Sequence, residues 1–330
     1  MLGPKDVNEL CKGLGVVPSK QHGQNFVHDA GTVRRIAAAA EIETGDHVLE
    51  IGPGLGSLTL ALLETDACVT AVELDPKLAL ALPTTVERFA GSLALDRLRV
   101  INQDATKITG PGSVLQATDS LLIAEGGSPE LAEEPNYLVA NLPYNIAVPL
   151  ILGTLEVLPS VHTVLVMVQD EVADRLVADP GSRTYGIPSL KAAWYGQLHK
   201  AGQIGRMVFH PVPNVDSALV KLVRHDNLQA LGVSDSLDAK QREELRVVTF
   251  TLIDAAFAQR RKTLRQALAV FTGTPALAQE LLETAGFAPN LRGEALGIAE
   301  FVTLGQTALK LGLSAQAGRG ELRAAEGKSQ

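Results

Sequence analysis

The first two-thirds of the chain alternates short, uniformly apolar runs with segments whose apolar positions recur every three to four residues. His47–Ile51, Cys68–Val72, Leu98–Ile101, Tyr137–Ala140 and Thr163–Val168 read as strands. Leu58–Leu63, Pro76–Arg88 and a stretch ending near Val157 read as helices, and Thr32–Ala40 as another ahead of the first strand. Pro76 stands in a first turn, where its missing amide costs nothing. This β-α alternation predicts a doubly wound, largely parallel sheet. Two later runs, Ile204–Phe209 and Ala218–Val223, have no helical segment between them and are expected to complete the sheet as antiparallel strands.

Beyond Asp226 the strand-like runs stop. Ser236–Val270, Pro275–Ala285 and Ile298–Leu311 predict three helices and a small all-helical domain. The expected division is a sheet domain over 1–230, a helical domain over 231–312 and a tail over 313–330 without fixed structure. Residues 111–135, rich in Gly, Ser, Pro and Glu, read as a loop insertion before the fourth strand.

Composition changes this picture little. A chain of 330 residues fits two domains, and 46% apolar with 20% charged residues is that of an ordinary globular protein. No signal-type N-terminus and no apolar run long enough for a membrane span is present, so the expected address is the cytoplasm. Cys11 and Cys68 are isolated, which argues against a disulfide framework and a zinc site; no metal is expected. The net charge of −8 opposes phosphate binding overall. Locally the balance reverses: Arg260, Arg261, Lys262 and Arg265 crowd six positions on an expected helix, either a phosphate contact or a solvated face.

The chemistry concentrates at strand ends. Glu50 to Ser57 closes the first strand with glycines at 52, 54 and 56, which lets the backbone turn tightly beside a ligand. The spacing departs from the dinucleotide fingerprint, and Pro53 removes an amide that a pyrophosphate would use. The turn therefore suits a nucleoside ligand without phosphate, such as S-adenosylmethionine. Glu73, ending the second strand, is placed to accept ribose hydroxyls. Asp104, after the third, either binds an exocyclic amine or caps a helical turn. Asn141-Leu142-Pro143-Tyr144 follows the fourth strand and combines acceptors, a stiff turn and an aromatic face. Phe209, before the proline-bound loop Pro211–Ser217, is either a second stacking face for a base or a core residue.

Gly23-Gln24-Asn25-Phe26, Glu50 to Gly56, Glu73-Leu74-Asp75, Asn141 to Tyr144, Phe209 to Ser217 and Gln259 to Arg265 stand together in one order. In that order and context the chain resembles the ribosomal RNA adenine dimethyltransferases, from about residue 18 to 312. It looks most like the bacterial enzymes that dimethylate two adjacent adenosines near the 3′ end of 16S rRNA; Ala285 to Glu294 resembles that group's C-terminal signature.

The resemblance implies a Rossmann-like methyltransferase sheet with a helical rRNA-recognition domain, and S-adenosylmethionine as cofactor. It implies cofactor contacts at Asn25, Val27, Gly52, Glu73, Asp104 and Asn141, and a catalytic group of Asn141, Leu142, Pro143, Tyr144 and Phe209. It further implies 16S rRNA within the 30S subunit as partner and a role in ribosome biogenesis; a monomer is the expectation for the enzyme. Two alternatives remain: a resistance-type methylase of 23S rRNA, and an assembly factor whose binding outweighs its methylation.

Overall fold

A computed structural model describes residues 1–17, 25–115, 120–122, 131, 133–143 and 146–313. In chain order the first strands and helices are α1 (Pro4–Leu14), β1 (Phe26–Val27), α2 (Ala30–Ala40), β2 (His47–Ile51), α3 (Ser57–Leu63), β3 (Cys68–Glu73) and α4 (Pro76–Ala90). β4 (Leu98–Asn102), α5 (Gly112–Leu115), β5 (Ser120–Leu122), β6 (Tyr137–Asn141), α6 (Ala147–Val157), β7 (Thr163–Gln169) and α7 (Asp170–Leu176) follow. The remainder is α8 (Ile187–Tyr195), β8 (Gly196–Ile204), β9 (Phe209–His210), β10 (Ser217–Arg224), α9 (Ala239–Ala258), α10 (Leu264–Ala267), α11 (Ala269–Thr272), α12 (Pro275–Thr284) and α13 (Ile298–Lys310).

Eight strands form the main sheet in the order β5-β4-β3-β2-β6-β7-β10-β8. β4, β3, β2, β6 and β7 run parallel, and β10 lies antiparallel to β7. The central strand β2 is buried at every position, as a parallel strand covered on both faces must be. Chain order leaves β2 towards β3 on one side and towards β6 on the other. A crevice opens at such a reversal, outside the carboxyl ends of the strands.

Register then decides which residues share that crevice. Ile51 is opposite both Val72 and Ala140, Glu73 is opposite Asn102, and Asn141 is opposite Met167. Gly52, Glu73, Asn102, Asn141 and Met167 therefore fall in one row across adjacent strands.

Three sequence expectations change. The strand closing the sheet is β8, whose mixed pattern of Gln, His, Lys and Gly conceals it, and not the apolar run 204–209. Of that run Ile204 is the last residue of β8, and Phe209 with the following His210 pairs with Val27 and Phe26 in a separate two-stranded ribbon. Residues 111–135 are not simply a loop, because β5 pairs antiparallel with β4. The rest of the expected insertion is largely outside the described residues, as is the tail beyond Leu313.

The chain divides into two compact units, 1–174 with 197–224, and 175–196 with the residues from 225 onward. Segment 175–196, assigned by its sequence to the sheet domain, packs instead with the helices. Tyr185 and Leu190 join a core of Leu252, Ile253, Leu264, Leu281, Phe301 and Leu304. α13 crosses α9 closely at Gly305, where an added Cβ would lie 2.5 Å from the Thr249 hydroxyl.

The expected helix 236–270 is also broken. α9 stops at Ala258; the amides of Leu264 and Arg265 turn away to the carbonyls of Leu291 and Pro289, at 2.7 and 3.2 Å. With those donors diverted, the intrahelical ladder cannot continue. Among the described residues no helix is long and apolar enough to cross a membrane.

Candidate active site

A cavity of about 790 Å³ opens along the row of strand ends. It is lined at β2 by Glu50 and Gly52, at β3 by Glu73, beyond β4 by Asp104, at β6 by Asn141 and Pro143, and from the N-terminal side by Asn25 and Val27. All six positions expected to hold the cofactor are thus brought to one space.

The turn after β2 is shaped by its glycines. Gly54 and Gly56 adopt φ of 58° and 92°, the left-handed region that side chains disfavour. An added Cβ would lie 2.9 Å from the Phe26 ring at Gly54, and 2.7 Å from Leu82 at Gly56. The turn can follow this path only without side chains.

Glu73 is 6% exposed, and its two oxygens accept from the amides of Gly54 at 3.0 Å and Asp75 at 2.9 Å. Burial still pushes its carboxyl above the usual range, the two amides opposing that shift. Asn102 donates to the carbonyls of Glu73 and Leu74 at 2.8 and 3.1 Å, which fixes the chain on the far side of the carboxylate.

Asp104 takes the capping role and also stands in the cavity lining. Its Oδ1 accepts from the Thr106 amide and hydroxyl at 2.9 and 2.7 Å, capping a short turn, while the residue lines the cavity. Those bonds hold its carboxyl below the ordinary value.

Asn141 donates its amide nitrogen to the backbone carbonyl of Asn25 at 3.1 Å. A carbonyl only accepts, so the atom facing it must be the NH₂, and the acceptor oxygen is the end left over. The next residue is anchored as well: the Leu142 amide donates to the Met167 carbonyl at 3.1 Å. Leu142 itself is buried, while Pro143 lines the cavity. Tyr144 lies outside the described residues.

Phe209 is a correction. It is 1% exposed within the core of the sheet unit and does not line the cavity, so it presents no open face for stacking. Its contribution is to the backbone: β9 pairs with β1 and holds Val27 in place, whose carbonyl also accepts from Ser57 at 2.5 Å.

The sequence missed Glu50 as a separate group. It is 1% exposed, accepts from the Thr59 hydroxyl at 2.6 Å, and is pushed by burial up to about 8, Glu73 adding to the rise. A charged residue inside a fully buried strand was the available signal.

The cationic turn is corrected too. Arg260, Arg261 and Lys262 lie between α9 and α10, and only Arg265 is helical. Arg260 is committed to Glu294 at 2.9 Å and to the Ser182 carbonyl at 3.2 Å. Arg261, Lys262 and Arg265 are exposed.

The lining includes four acidic side chains, Glu73, Asp75, Asp104 and the Glu50 carboxyl that burial keeps protonated near neutral pH, against one cation, Lys77, among the described residues. That donor set disfavours a pyrophosphate and suits a ligand with hydroxyls, an amine and positive charge. S-adenosylmethionine has those groups.

Residues 18–304 match the model of a family described as ribosomal RNA adenine dimethylase. The chain belongs to that family. It is 49% identical to the ribosomal RNA small subunit methyltransferase A of Corynebacterium diphtheriae, over 92% of this chain and 94% of that protein. It is 50% identical to the protein of the same name from Leifsonia xyli, over 92% and 97%.

Among solved structures, a dimethyladenosine transferase from Plasmodium falciparum aligns with a TM-score of 0.66 at 21% identity, over 88% of this chain and 99% of that one. The 23S rRNA methyltransferase ErmE aligns at 0.58 and 23% identity, over 86% and 99%. These two likenesses concern the fold. Membership of the family makes this chain an S-adenosylmethionine-dependent rRNA adenine dimethylase.

Proposed function

We propose that this enzyme dimethylates N6 of two adjacent adenosines in the 3′-terminal hairpin loop of 16S rRNA, on the small subunit, during ribosome biogenesis. The relatives named as small-subunit methyltransferases support the choice of subunit. The observation that carries the chemistry is Asn141, with its nitrogen tied to Asn25 and its residue on the cavity wall.

S-adenosylmethionine, when bound, supplies a methyl already activated by its sulfonium. Gly52, Glu73, Asp104, Asn25 and Val27 would hold it, Glu73 accepting from hydroxyls and Asp104 through the oxygen not used for capping. The remaining task is the adenine amine, whose nitrogen becomes tetrahedral and positive as it attacks.

The Asn141 oxygen and the Leu142 carbonyl accept from that amine, so their attraction grows as its charge develops and the transition state gains most. Pro143 stiffens the turn and offers no competing amide. The target base must leave its stack to arrive there, and Tyr144 is the aromatic placed by sequence to receive its face. No strong base is needed, because the amine proton becomes acidic only after transfer. Arg261, Lys262 and Arg265 would meet rRNA phosphate. The enzyme is proposed to act as a monomer in the cytoplasm, where ribosomes are assembled.

The test is transfer of tritiated methyl to unmethylated 30S subunits, naked 16S rRNA, 23S rRNA and DNA, with the product nucleosides identified. N6,N6-dimethyladenosine on 30S subunits is expected. Preferred labelling of 23S rRNA or of DNA would overturn the assignment.

A further inference from the structure

The family match begins at residue 18, yet the wall of the cofactor cavity begins earlier, with Gly15, Val16 and Val17. These three residues follow the last turn of α1, which lies ahead of the matched residues. α1 is firmly seated: Leu2, Val7 and Cys11 are buried in the core of the sheet unit, and the helix packs against α4.

Its C-terminus is closed by a specific turn. Gly15 adopts φ of 60°, its amide donates to the Lys12 carbonyl at 3.2 Å, and the Val16 amide reaches back to Cys11 at 2.9 Å. This is the Schellman arrangement, in which a left-handed glycine reverses the chain and folds the next apolar residue back onto the helix. Val16 is accordingly buried at 8% exposure, and Val17 emerges into the cavity at 84%. Leu74, beside Glu73, is 62% exposed on the same cavity. Two open apolar side chains on the wall of this cavity fit a ligand with an apolar surface to cover, and the purine or methionyl chain of the cofactor provides one.

We propose that α1 and its capping turn are part of the cofactor site, with Val17 as an apolar contact for S-adenosylmethionine and Gly15 as the residue that positions it. The inference rests on the cofactor reading above. Because Val17 is exposed, replacing it leaves the folded core intact, which makes it a clean probe.

The experiment measures S-adenosylhomocysteine binding by calorimetry to the full chain, wild type against Val17→Ala and Val17→Leu. Val17→Ala is expected to weaken binding by about threefold to tenfold through lost apolar contact, and Val17→Leu to retain it. A second readout is alkylation of Cys11, on the buried face of the same helix: bound S-adenosylhomocysteine is expected to slow it by about fivefold or more by suppressing local opening. Equal affinity of Val17→Ala and wild type, or ligand-independent alkylation, would overturn the assignment of α1 and leave the cofactor reading standing. If the wild type bound no S-adenosylhomocysteine, both would fall.

Discussion

The row of strand ends and the turn 259–265 both carry residues singled out by sequence, and they fared differently. At the strand ends every nominated cofactor position lines the cavity, and Asn141, Glu73 and Asp104 are each held by hydrogen bonds to neighbouring backbone. In the turn, four cations expected along one helix are separated by its end, and Arg260 is tied to Glu294 and Ser182. The difference lies in what fixes each group. Sheet register forces Gly52, Glu73 and Asn141 into line whatever their side chains are. A charged, exposed stretch has no such constraint, and its backbone follows the donors and acceptors that tertiary packing offers.

The comparison would break first at Asn141. Asn141→Ala is expected to lower methyl transfer to 30S subunits by about 10²–10³-fold, the usual cost of one positioned electrostatic group, with S-adenosylhomocysteine affinity changed far less. Near-wild-type turnover would remove Asn141 from the chemistry.

Phe209 distinguishes a stacking face from a core residue. Phe209→Ala is expected to cost about 3–5 kcal/mol of stability by urea unfolding, as for a buried aromatic. A variant of unchanged stability that loses only RNA methylation would restore the stacking role.

Glu50 tests whether the strand-end row is as dry as its burial implies. Its folded carboxyl titrates near 8 against an ordinary 4.5, so between those values the folded state keeps a proton that the unfolded state releases. Stability must then fall as pH rises through that window. Glu50→Gln is expected to flatten this slope, with the largest gain in Tm above pH 8; an unchanged slope would show that Glu50 is already ionised.

The turn carries the smaller effects. Reversing Arg261, Lys262 and Arg265 to Glu is expected to weaken rRNA binding by about tenfold or more at low salt and to reduce its salt dependence, with cofactor affinity unchanged. Arg260→Ala should cost about 0.5 kcal/mol in thermal unfolding, since its ion pair with Glu294 is substantially exposed. A salt slope equal to wild type in the triple variant would make the turn a solvated surface.

Much of this was legible along the chain because parallel strands announce themselves as short apolar runs, and the chemistry follows each run by a residue or two. The elements missed were of two kinds, one ambiguous without partners and one signalled but unread. β8 alternates polar and small residues and becomes a strand only by pairing at the edge next to β10. α1 carries Pro4 at its start, Gly15 just past its end and apolar Val7, Leu10, Cys11 and Leu14 between; this punctuation was present in the sequence. Phe209 could be core or platform, and only burial separates the two.

The sequence by itself determined the five parallel strands at the centre of the sheet, the order of the motifs and the family, because periodicity and strand-end chemistry are local properties. Tertiary structure alone decided that Asn141 offers its oxygen, that Glu50 is a dry carboxyl, that α9 ends at Ala258, and that α1 reaches the cofactor cavity. Each of those depends on a partner distant in the chain: the Asn25 carbonyl, the packing around β2, the Leu291 and Pro289 carbonyls, and the core that seats α1.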